Sequence, residues 1–397
     1  MTFEQLINSI NSVVIFKNIT QSELIVSLKN LLSGCVKKQG ANELIPLYSQ
    51  FISDLYKKGS SFSRVLLDMI LEDENIYISL SSNGGEIPGV MYECVSHEFA
   101  VLQAISVLTS YDLKRSIGYD GYLPDFETEY FDIKAMYAQR LCDISIYGYG
   151  MFVKNSAFML RDSTLTAVLH PDTTRLCDLF GYELERQPVI DNTLAFLDNK
   201  PFNNVLLYGD CGTGKSSTVK AIVNEYFDRG LRLIELKKNE LHLLPAVIEQ
   251  IATNPLKFII FIDDLSFGSD DNDFGALKAV LEGTVAAAAP NMAIYATSNR
   301  RHLVKERFSD RNGDDIHASD TRQELMSLSE RFGITVTFSK PEKKLYLQVV
   351  SELAKKYGIN MPQEELFIKA EAFAISKGGR SPRGAKQFIE SLAGKKD

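Results

Sequence analysis

The sequence lacks any apolar run long enough to cross a membrane. Its longest runs, such as Phe258–Ile262, fall far short of the roughly 20 residues that a membrane-spanning helix requires. The first ten residues contain no basic region followed by an apolar run, so an export signal is not visible. The five cysteines are scattered without zinc-like spacing, a pattern that favours reduced thiols. We therefore expect a cytoplasmic protein with no membrane partner.

The composition indicates a folded protein with an unevenly distributed charge. Of the 397 residues, 45% are hydrophobic and 24% charged, which excludes a disordered, collagen-like or coiled-coil chain. This length predicts two or three domains. The formal net charge of -8 argues against a nucleic-acid footprint over the whole surface. Residues 340–397, however, contain 12 Lys and Arg against seven Asp and Glu, a net charge of +5 that indicates a distinct module.

The first part of the chain predicts helices. Phe3, Leu6, Ile7 and Ile10 fall at helical spacing, and we expect a mainly helical domain over residues 1–150. This domain carries no motif that indicates chemistry. The alternative is that its segment rich in Tyr and Gly, residues 118–150, forms a partner surface, because aromatic residues are enriched at interfaces.

The middle of the chain changes from short strands to an alternating pattern. Residues 151–195 predict a linker region with short strands at Met151–Val153, Ala157–Leu160 and Leu165–Leu169. Strands and helices then alternate over residues 196–339, which predicts an α/β core with a parallel sheet and right-handed crossovers. The predicted strands are Val205–Tyr208, Leu231–Leu236, Phe258–Ile262, Ala293–Thr297 and Ile334–Phe338. Residues 340–397 predict a helical C-terminal lid.

The strongest signal is a glycine-rich loop between a predicted strand and a predicted helix. It reads Gly209-Asp210-Cys211-Gly212-Thr213-Gly214-Lys215-Ser216 and fits the pattern G-x-x-x-x-G-K-[ST]. Glycines let backbone N–H groups curl around phosphate oxygens, and the helix N-terminus adds partial positive charge. The ammonium group can reach the β- and γ-phosphates, and the hydroxyl of the last residue can complete a Mg²⁺ shell. The predicted nucleotide-binding residues here are Gly209, Asp210, Cys211, Gly212, Thr213, Gly214, Lys215, Ser216 and Ser217.

Two alternatives accompany this loop. The whole motif could be a glycine-rich turn that enters a helix without binding phosphate. Cys211 occupies a variable position and is either a spacer or a thiol made acidic by the helix N-terminus.

Polar side chains end two of the predicted strands. Asp263 and Asp264 follow Phe258–Ile262, at the sheet edge where ligands of open α/β sheets bind. We expect Asp263 to hold Mg²⁺ through water beside Ser216, and Asp264 to orient or activate an attacking water. The alternative for the two carboxylates is a helix N-cap. Asn299 ends the next strand and is a candidate for contacting both the γ-phosphate and that water.

Two arginines are further candidates. Arg331 lies at a turn before the strand Ile334–Phe338, and Arg383 lies at the start of a helix. Arginines in such places are most often only solvated, so their candidacy depends on the phosphate loop.

Together these residues resemble the AAA+ superfamily of ATPases over Cys177–Leu392. The resemblance makes Gly209–Ser216 the Walker A loop and Ile259–Asp264 the Walker B strand, with Asp264 where most members have Glu. The stretches NNVLLYGD, FIIFIDDLSF, YATSNRRHL and LSERFG resemble most closely a bacterial AAA+ family catalogued as a domain of unknown function.

Further roles follow only from that resemblance. Asn299 corresponds to sensor 1, Arg383 to the sensor 2 arginine, and Arg331 to the arginine finger that enters a neighbouring subunit's site. Gly181 and Tyr182 correspond to the segment that lines the adenine pocket.

The resemblance implies an ATPase that hydrolyses ATP to ADP and phosphate with Mg²⁺. It also implies a homo-oligomeric ring, such as a hexamer, that remodels or loads a protein or nucleic-acid client. The residues after Leu236 lack the aromatic and Gly of a pore loop, which weakens an unfoldase role. Because Asp264 is one methylene shorter than Glu, the alternative is a slow or non-hydrolysing switch that presents the N-terminal domain to a partner. A third hypothesis is nucleic-acid binding by the basic lid through Lys343, Lys344, Lys355 and Lys356.

Overall fold

The computed structural model describes residues 1–266, 274–281, 289–299 and 330–394. The chain divides into two compact units, Met1–Val153 and Lys154–Asp397. The finer division at residues 150, 195 and 339 stays a prediction. Among the described helices, none combines the length and the apolar character that crossing a bilayer would demand.

The first unit is built of helices, as its apolar spacing predicts. Several begin at side-chain caps: Thr2 and Gln5, for example, form a capping box that satisfies free N–H groups of the first turn. The helices are α1 (Phe3–Asn11), α2 (Lys17–Thr20), α3 (Glu23–Val36), α4 (Ala41–Tyr56), α5 (Phe62–Glu72), α6 (Ile76–Ser82), α7 (Gly89–Ser106), α8 (Ser110–Ile117), α9 (Ile133–Cys142) and α10 (Ile144–Tyr147).

The second unit contains a sheet of seven strands within the described residues. Its spatial order is β2-β1-β4-β5-β6-β3-β7, and only the β1–β2 pair is antiparallel. The strands are β1 (Ala157–Arg161), β2 (Thr164–Ala167), β3 (Val205–Gly209), β4 (Leu231–Leu236), β5 (Lys257–Ile262), β6 (Met292–Ser298) and β7 (Ile334–Phe338). Strands β5 and β6 are almost wholly buried, as expected for a parallel sheet covered on both faces.

Helices flank this sheet and form a small separate layer at the C-terminal end of the chain. The flanking helices are α11 (Glu183–Leu197), α12 (Lys215–Tyr226), α13 (Leu244–Ile251) and α14 (Phe274–Leu281), and the lid consists of α15 (Lys343–Lys356), α16 (Gln363–Ser376) and α17 (Pro382–Ala393). The lid has its own apolar cluster, in which the buried Tyr346 donates its hydroxyl to the Ala370 carbonyl at 3.0 Å. The predicted fold class is confirmed.

Two local predictions between residues 150 and 200 are wrong. Met151–Val153 does not form a strand, because Gly150–Phe152 closes a 3-10 turn in which the Val153 N–H donates to the Gly150 carbonyl at 3.4 Å. Residues 183–195, which the sequence assigns to a linker, lie in α11. This helix buries the polar residues Arg186, Asn192 and Thr193, so its apolar periodicity is weak.

The sheet order brings three strand ends together. Strand β6 lies between β5 and β3, and all three run in the same direction. The carboxyl ends of these strands therefore lie side by side at one edge, where the glycine-rich loop begins α12.

Candidate functional site

The glycine-rich loop is fixed by its first residues. Gly209 has φ 135°, and a Cβ atom there would lie 2.1 Å from the carbonyl oxygen of Phe338. The next residue, Asp210, donates its N–H to that same oxygen at 3.0 Å. Thr213 closes the loop internally, because its hydroxyl donates to the Asp210 carbonyl at 2.8 Å. Only glycine fits the first position, and the loop is held against β7.

Lys215 begins α12 and turns its ammonium group back over the loop. Its Nζ donates to the carbonyl oxygens of Gly209 at 2.9 Å and of Asp210 at 2.8 Å. A third bond of 3.1 Å reaches Oδ1 of Asn299. Burial lowers the pKa of Lys215 below its ordinary value. The ammonium group is thus held against the loop by two backbone carbonyl oxygens and one side-chain amide oxygen.

The second residue of α12 joins the loop to the end of β5. Oγ of Ser216 donates to Oδ1 of Asp263 at 2.6 Å. Oγ1 of Thr297 donates to the same carboxylate oxygen at 2.5 Å. The predicted partners Ser216 and Asp263 are therefore in direct contact, and Thr297, which has no sequence signature of its own, contacts the same carboxylate.

Asp264 and Asn299 form the other half of this polar network. Nδ2 of Asn299 donates to Oδ1 of Asp264 at 2.7 Å. Because Oδ1 of Asn299 accepts from Lys215, the Asn299 amide bridges the ammonium group and the carboxylate. Asp264 has φ 53°, a left-handed conformation that costs a non-glycine residue about 1–2 kcal/mol.

These groups line one cavity of about 660 Å³, within the size range of small-molecule sites. Its lining combines the loop and the two carboxylates with apolar side chains such as Leu179, Phe180 and Val349. The described residues around it include Thr173, Thr174, Asp178, Leu179, Phe180, Tyr182, Arg186, Cys211, Gly212, Thr213, Gly214, Lys215, Ser216, Ser217, Asp263, Asp264, Thr297, Asn299, Val349, Leu353, Lys356, Tyr357, Pro382, Arg383 and Lys386.

The segment around Gly181 and Tyr182 is anchored by its neighbours. The buried guanidinium of Arg186 donates to the carbonyl oxygens of Gly181 and Leu179. The Tyr182 hydroxyl donates to the carbonyl of Ser339 at 2.6 Å, and burial raises the pKa of Tyr182 to about 12. Tyr182 lines the cavity, so the segment predicted from the resemblance lies at the same site as the loop.

The lid contributes cationic groups to the cavity wall. The N–H of Arg383 donates to the carbonyl of Gly212 at 3.1 Å, which places the start of α17 against the loop. Lys356, at the end of α15, pairs with Asp178 and lines the same cavity. Asp178 has no motif around it that would mark it in the sequence, and Lys356 is expected there only as a contact for nucleic acid.

Arg331 is an exposed residue just before β7. It does not belong to the cavity lining in the described part of the chain. The intramolecular geometry therefore brings together every predicted catalytic residue except Arg331.

The donor set at the loop fits a magnesium ion. The Ser216 hydroxyl and the Asp263 carboxylate are hard oxygen ligands in direct contact. Across the four described ranges, no group of three or more His, Cys, Asp or Glu residues could hold a metal ion. A magnesium ion here would therefore take its remaining ligands from phosphate oxygens and water, which is how this ion usually binds.

Several solved structures are similar to part of this chain at low identity. A RuvB variant from Thermotoga maritima is 15% identical with a TM-score of 0.38, covering 54% of this chain and 63% of that chain. The AAA domain of FIGL-1 in complex with ADP is 18% identical with a TM-score of 0.40, and the match covers 57% of this chain and 74% of that chain. AMPPCP-bound DnaA from Aquifex aeolicus is 17% identical with a TM-score of 0.38, and the match covers 55% of this chain and 64% of that chain.

The chain spans slightly under two thirds of the length of the RuvB and DnaA structures that it matches. No curated protein matches the sequence. Residues 153–396, more than half of the chain, match the family described as "Protein of unknown function (DUF815)", and the chain belongs to this family.

Proposed function

We propose that the protein binds ATP with Mg²⁺ and hydrolyses it to ADP and phosphate. The observation that carries this proposal is the continuous polar network at the glycine-rich loop. It links Lys215, Asn299 and Asp264 on one side, and Ser216 and Asp263 on the other, within one cavity. This arrangement supplies a cation for phosphates, oxygen ligands for a metal and a carboxylate for water.

The loop and the lid would bind the triphosphate. Backbone N–H groups at the start of α12 and the Lys215 ammonium group would contact phosphate oxygens, exchanging the carbonyl contacts of Nζ for charged ones. Arg383, on the lid, lines the cavity and would add a second cation. The segment that contains Gly181 and Tyr182 would lie beside the adenine base.

Hydrolysis requires a water oxygen to form a bond to the γ-phosphorus while the bond from that phosphorus to the bridging oxygen of ADP breaks. The Asp264 carboxylate would accept the proton that this water loses, and Asn299 would orient the water and a γ-phosphate oxygen. A magnesium ion, when bound at Ser216 and Asp263, supplies charge neutralisation for the phosphates. These residues then perform positioning and electrostatic stabilisation, which dominate phosphoryl transfer.

The direct test combines calorimetry and phosphate release on purified full-length protein. We expect heat of binding with ATP and Mg²⁺, and phosphate release that disappears in Lys215→Ala. Loss of the activity in this variant separates the chain's own turnover from a contaminating ATPase. Absence of any binding heat in the unaltered protein would refute the proposal.

The oligomeric role belongs to the same proposal. An exposed Arg331 outside its own chain's cavity is suited to contribute to a site in a neighbouring copy. We infer a cytoplasmic homo-oligomeric ring that remodels or loads a protein or nucleic-acid client. In the lid, Lys355 pairs with Glu352 and Lys356 with Asp178, so these two lysines would contact nucleic acid only by exchanging those ion pairs.

A second candidate function is a binding switch with little hydrolysis. It is favoured by Asp264, whose side chain is one methylene shorter than that of Glu and accepts a hydrogen bond from Asn299. The backbone of this residue adopts a left-handed conformation. A carboxylate displaced by about 1 Å can cost about 10²-fold in rate. Tight ATP binding without phosphate release, even with candidate activators present, would favour the switch over the ATPase.

A further inference from the structure

The hydroxyl of Thr297 connects the two carboxylates of the site. It donates to Oδ1 of Asp263 at 2.5 Å and accepts from the N–H of Asp264 at 2.9 Å. Thr297 is 1% exposed and lies on β6, directly beside Leu207 of the strand that leads into the loop. One buried oxygen atom therefore contacts the side chain of one acidic residue and the backbone of the next.

The chemistry of the groups fixes the direction of both bonds. An ionised carboxylate only accepts hydrogen bonds and a backbone N–H only donates, so the single proton of the Thr297 hydroxyl must point to Asp263. Ser216 donates to the same carboxylate oxygen at 2.6 Å. Oδ1 of Asp263 thus accepts from two hydroxyl donors, which together fix the position of this oxygen.

The same threonine also holds the turn that follows β5. Its carbonyl oxygen accepts from the N–H of Leu265 at 2.7 Å, next to the bond between its hydroxyl and the N–H of Asp264. These two contacts fasten the segment in which Asp264 adopts φ 53°. An unusual backbone conformation persists only where surrounding contacts determine it, and Thr297 supplies two of them.

We propose that Thr297 is a positioning residue that sets both carboxylates at once: Asp263 for the metal and Asp264 for the attacking water. This inference rests on the proposed function and adds a residue to it. Thr297 does not touch the reacting atoms in this assignment. Its effect passes through the orientation of Asp263 and the backbone of Asp264.

The test compares Thr297→Val, which keeps the shape and removes the hydroxyl, with Thr297→Ser, which keeps the hydroxyl. Thr193→Val is the matched control, because Thr193 is also fully buried and donates to the Val189 carbonyl at 2.8 Å, outside the cavity lining. For each protein, the affinity for a non-hydrolysable ATP analogue is measured with and without Mg²⁺. The kcat, KM and thermal midpoint are measured in parallel.

We expect Thr297→Val to lose about 10- to 100-fold of the magnesium-dependent gain in affinity, and to lose kcat by a similar factor, because groups that orient metal ligands have effects of this size. Affinity without Mg²⁺ should change little, since the loop is intact. Thr297→Ser should restore both quantities to within a few-fold of the unaltered protein. Thr193→Val should lower the thermal midpoint without changing the magnesium-dependent gain.

Two outcomes overturn the inference: Thr297→Val with an unchanged magnesium-dependent gain, or Thr193→Val with the same loss. If Thr297→Val does not fold, Thr297→Ala carries the same comparison without steric demand. Failure of the proposed function is distinguishable, because the unaltered protein would then bind no nucleotide at all. If it binds with Mg²⁺ and the valine variant binds equally well, the function stands and only the role of Thr297 is lost.

Discussion

Ser216 and Asp263, which are 47 residues apart in the sequence, are joined by a hydrogen bond of 2.6 Å. The bond ties the first turn of α12 to the carboxyl end of β5 and thus fixes the distance between the glycine-rich loop and the acidic strand end. A hydroxyl that donates to a carboxylate keeps its lone pairs for a cation. The pair is therefore arranged so that a metal can be held without breaking the contact.

The first prediction concerns this hydroxyl. Ser216→Ala should lose about 10- to 100-fold of the gain in ATP affinity that Mg²⁺ provides, because a metal ligand and a partner of Asp263 are removed together. Ser216→Thr keeps the hydroxyl and should retain most of that gain. Calorimetric titrations with and without Mg²⁺ measure the difference. Equal magnesium dependence in the alanine and threonine variants would contradict the assigned role.

The second prediction concerns the pH dependence of nucleotide affinity. Burial lowers the pKa of Lys215 in the free protein, and a bound triphosphate would raise it again. Affinity should therefore be fully present below the free-protein pKa and should fall as the pH rises through it. The fall should begin below the ordinary lysine titration near pH 10.4, with a slope of at most about tenfold per pH unit.

Lys215→Arg is the control for this titration. Its guanidinium stays charged, so its affinity, whatever its level, should not follow the same alkaline fall. Parallel curves for the lysine and arginine proteins up to pH 10 would assign the pH dependence to another group.

The third prediction compares two glycines of the loop. Gly209→Ala places a Cβ 2.1 Å from the Phe338 carbonyl at φ 135°, whereas Gly214→Ala at φ 97° meets no atom within 4 Å. The first change should cost at least about 2 kcal/mol of stability and the second about 1 kcal/mol. We expect the thermal midpoint to fall by roughly 4–8 °C and 2–4 °C respectively. Equal shifts would show that the close contact with β7 does not make Gly209 less tolerant of a side chain than Gly214.

The features that the sequence predicts well are those with a local pattern. Strand β5 was expected at Phe258–Ile262 and spans Lys257–Ile262, because a continuous apolar run between polar segments leaves few alternatives. The glycine-rich motif likewise predicts its own turn. Helix α11 was missed because it buries Arg186, Asn192 and Thr193, which weaken the apolar repeat.

The polar contacts between distant segments were the least predictable part of the site. In the sequence, nothing distinguishes Thr297 from other residues of a buried strand. Its contact with Asp263 arises because β5 and β6 are neighbours in the sheet. The pairing of Lys356 with Asp178 joins residues 178 positions apart and has no sequence signature. Such contacts depend on the strand order and on how the lid packs, and a single sequence gives little information on either.

The fourth prediction concerns Asp264. Asp264→Asn should keep ATP affinity within a few-fold and lower phosphate release by about 10²-fold or more, because the amide cannot accept the proton of the attacking water. Asparagine tolerates the left-handed conformation of this residue, so the backbone should be retained. Unchanged turnover would refute the assigned role. If the unaltered protein shows no turnover, the binding switch becomes the better account.

The last prediction concerns Arg331 and the shared site that it implies. Arg331→Ala should retain ATP binding and lose turnover by about 10³-fold or more, as expected for an arginine that stabilises charge in transfer. Turnover of the unaltered protein should rise with protein concentration, because the complete site would need two copies. Sedimentation across the same concentrations shows whether assembly accompanies the rise.

A mixing experiment separates a finger supplied by a neighbouring copy from a role within the same chain. Lys215→Ala protein cannot bind nucleotide but keeps Arg331, whereas Arg331→Ala protein binds nucleotide but lacks the arginine. If the arginine acts between copies, mixing these two inactive proteins should restore part of the turnover, since some interfaces then combine an intact loop with an intact arginine. A mixture of Lys215→Ala with Asp264→Asn is the matched control and should stay inactive. Each change disables the cavity of the chain that carries it, so no cavity in the mixture is intact. Full activity of Arg331→Ala alone, or no recovery in mixtures that do assemble, would remove the arginine from the shared site.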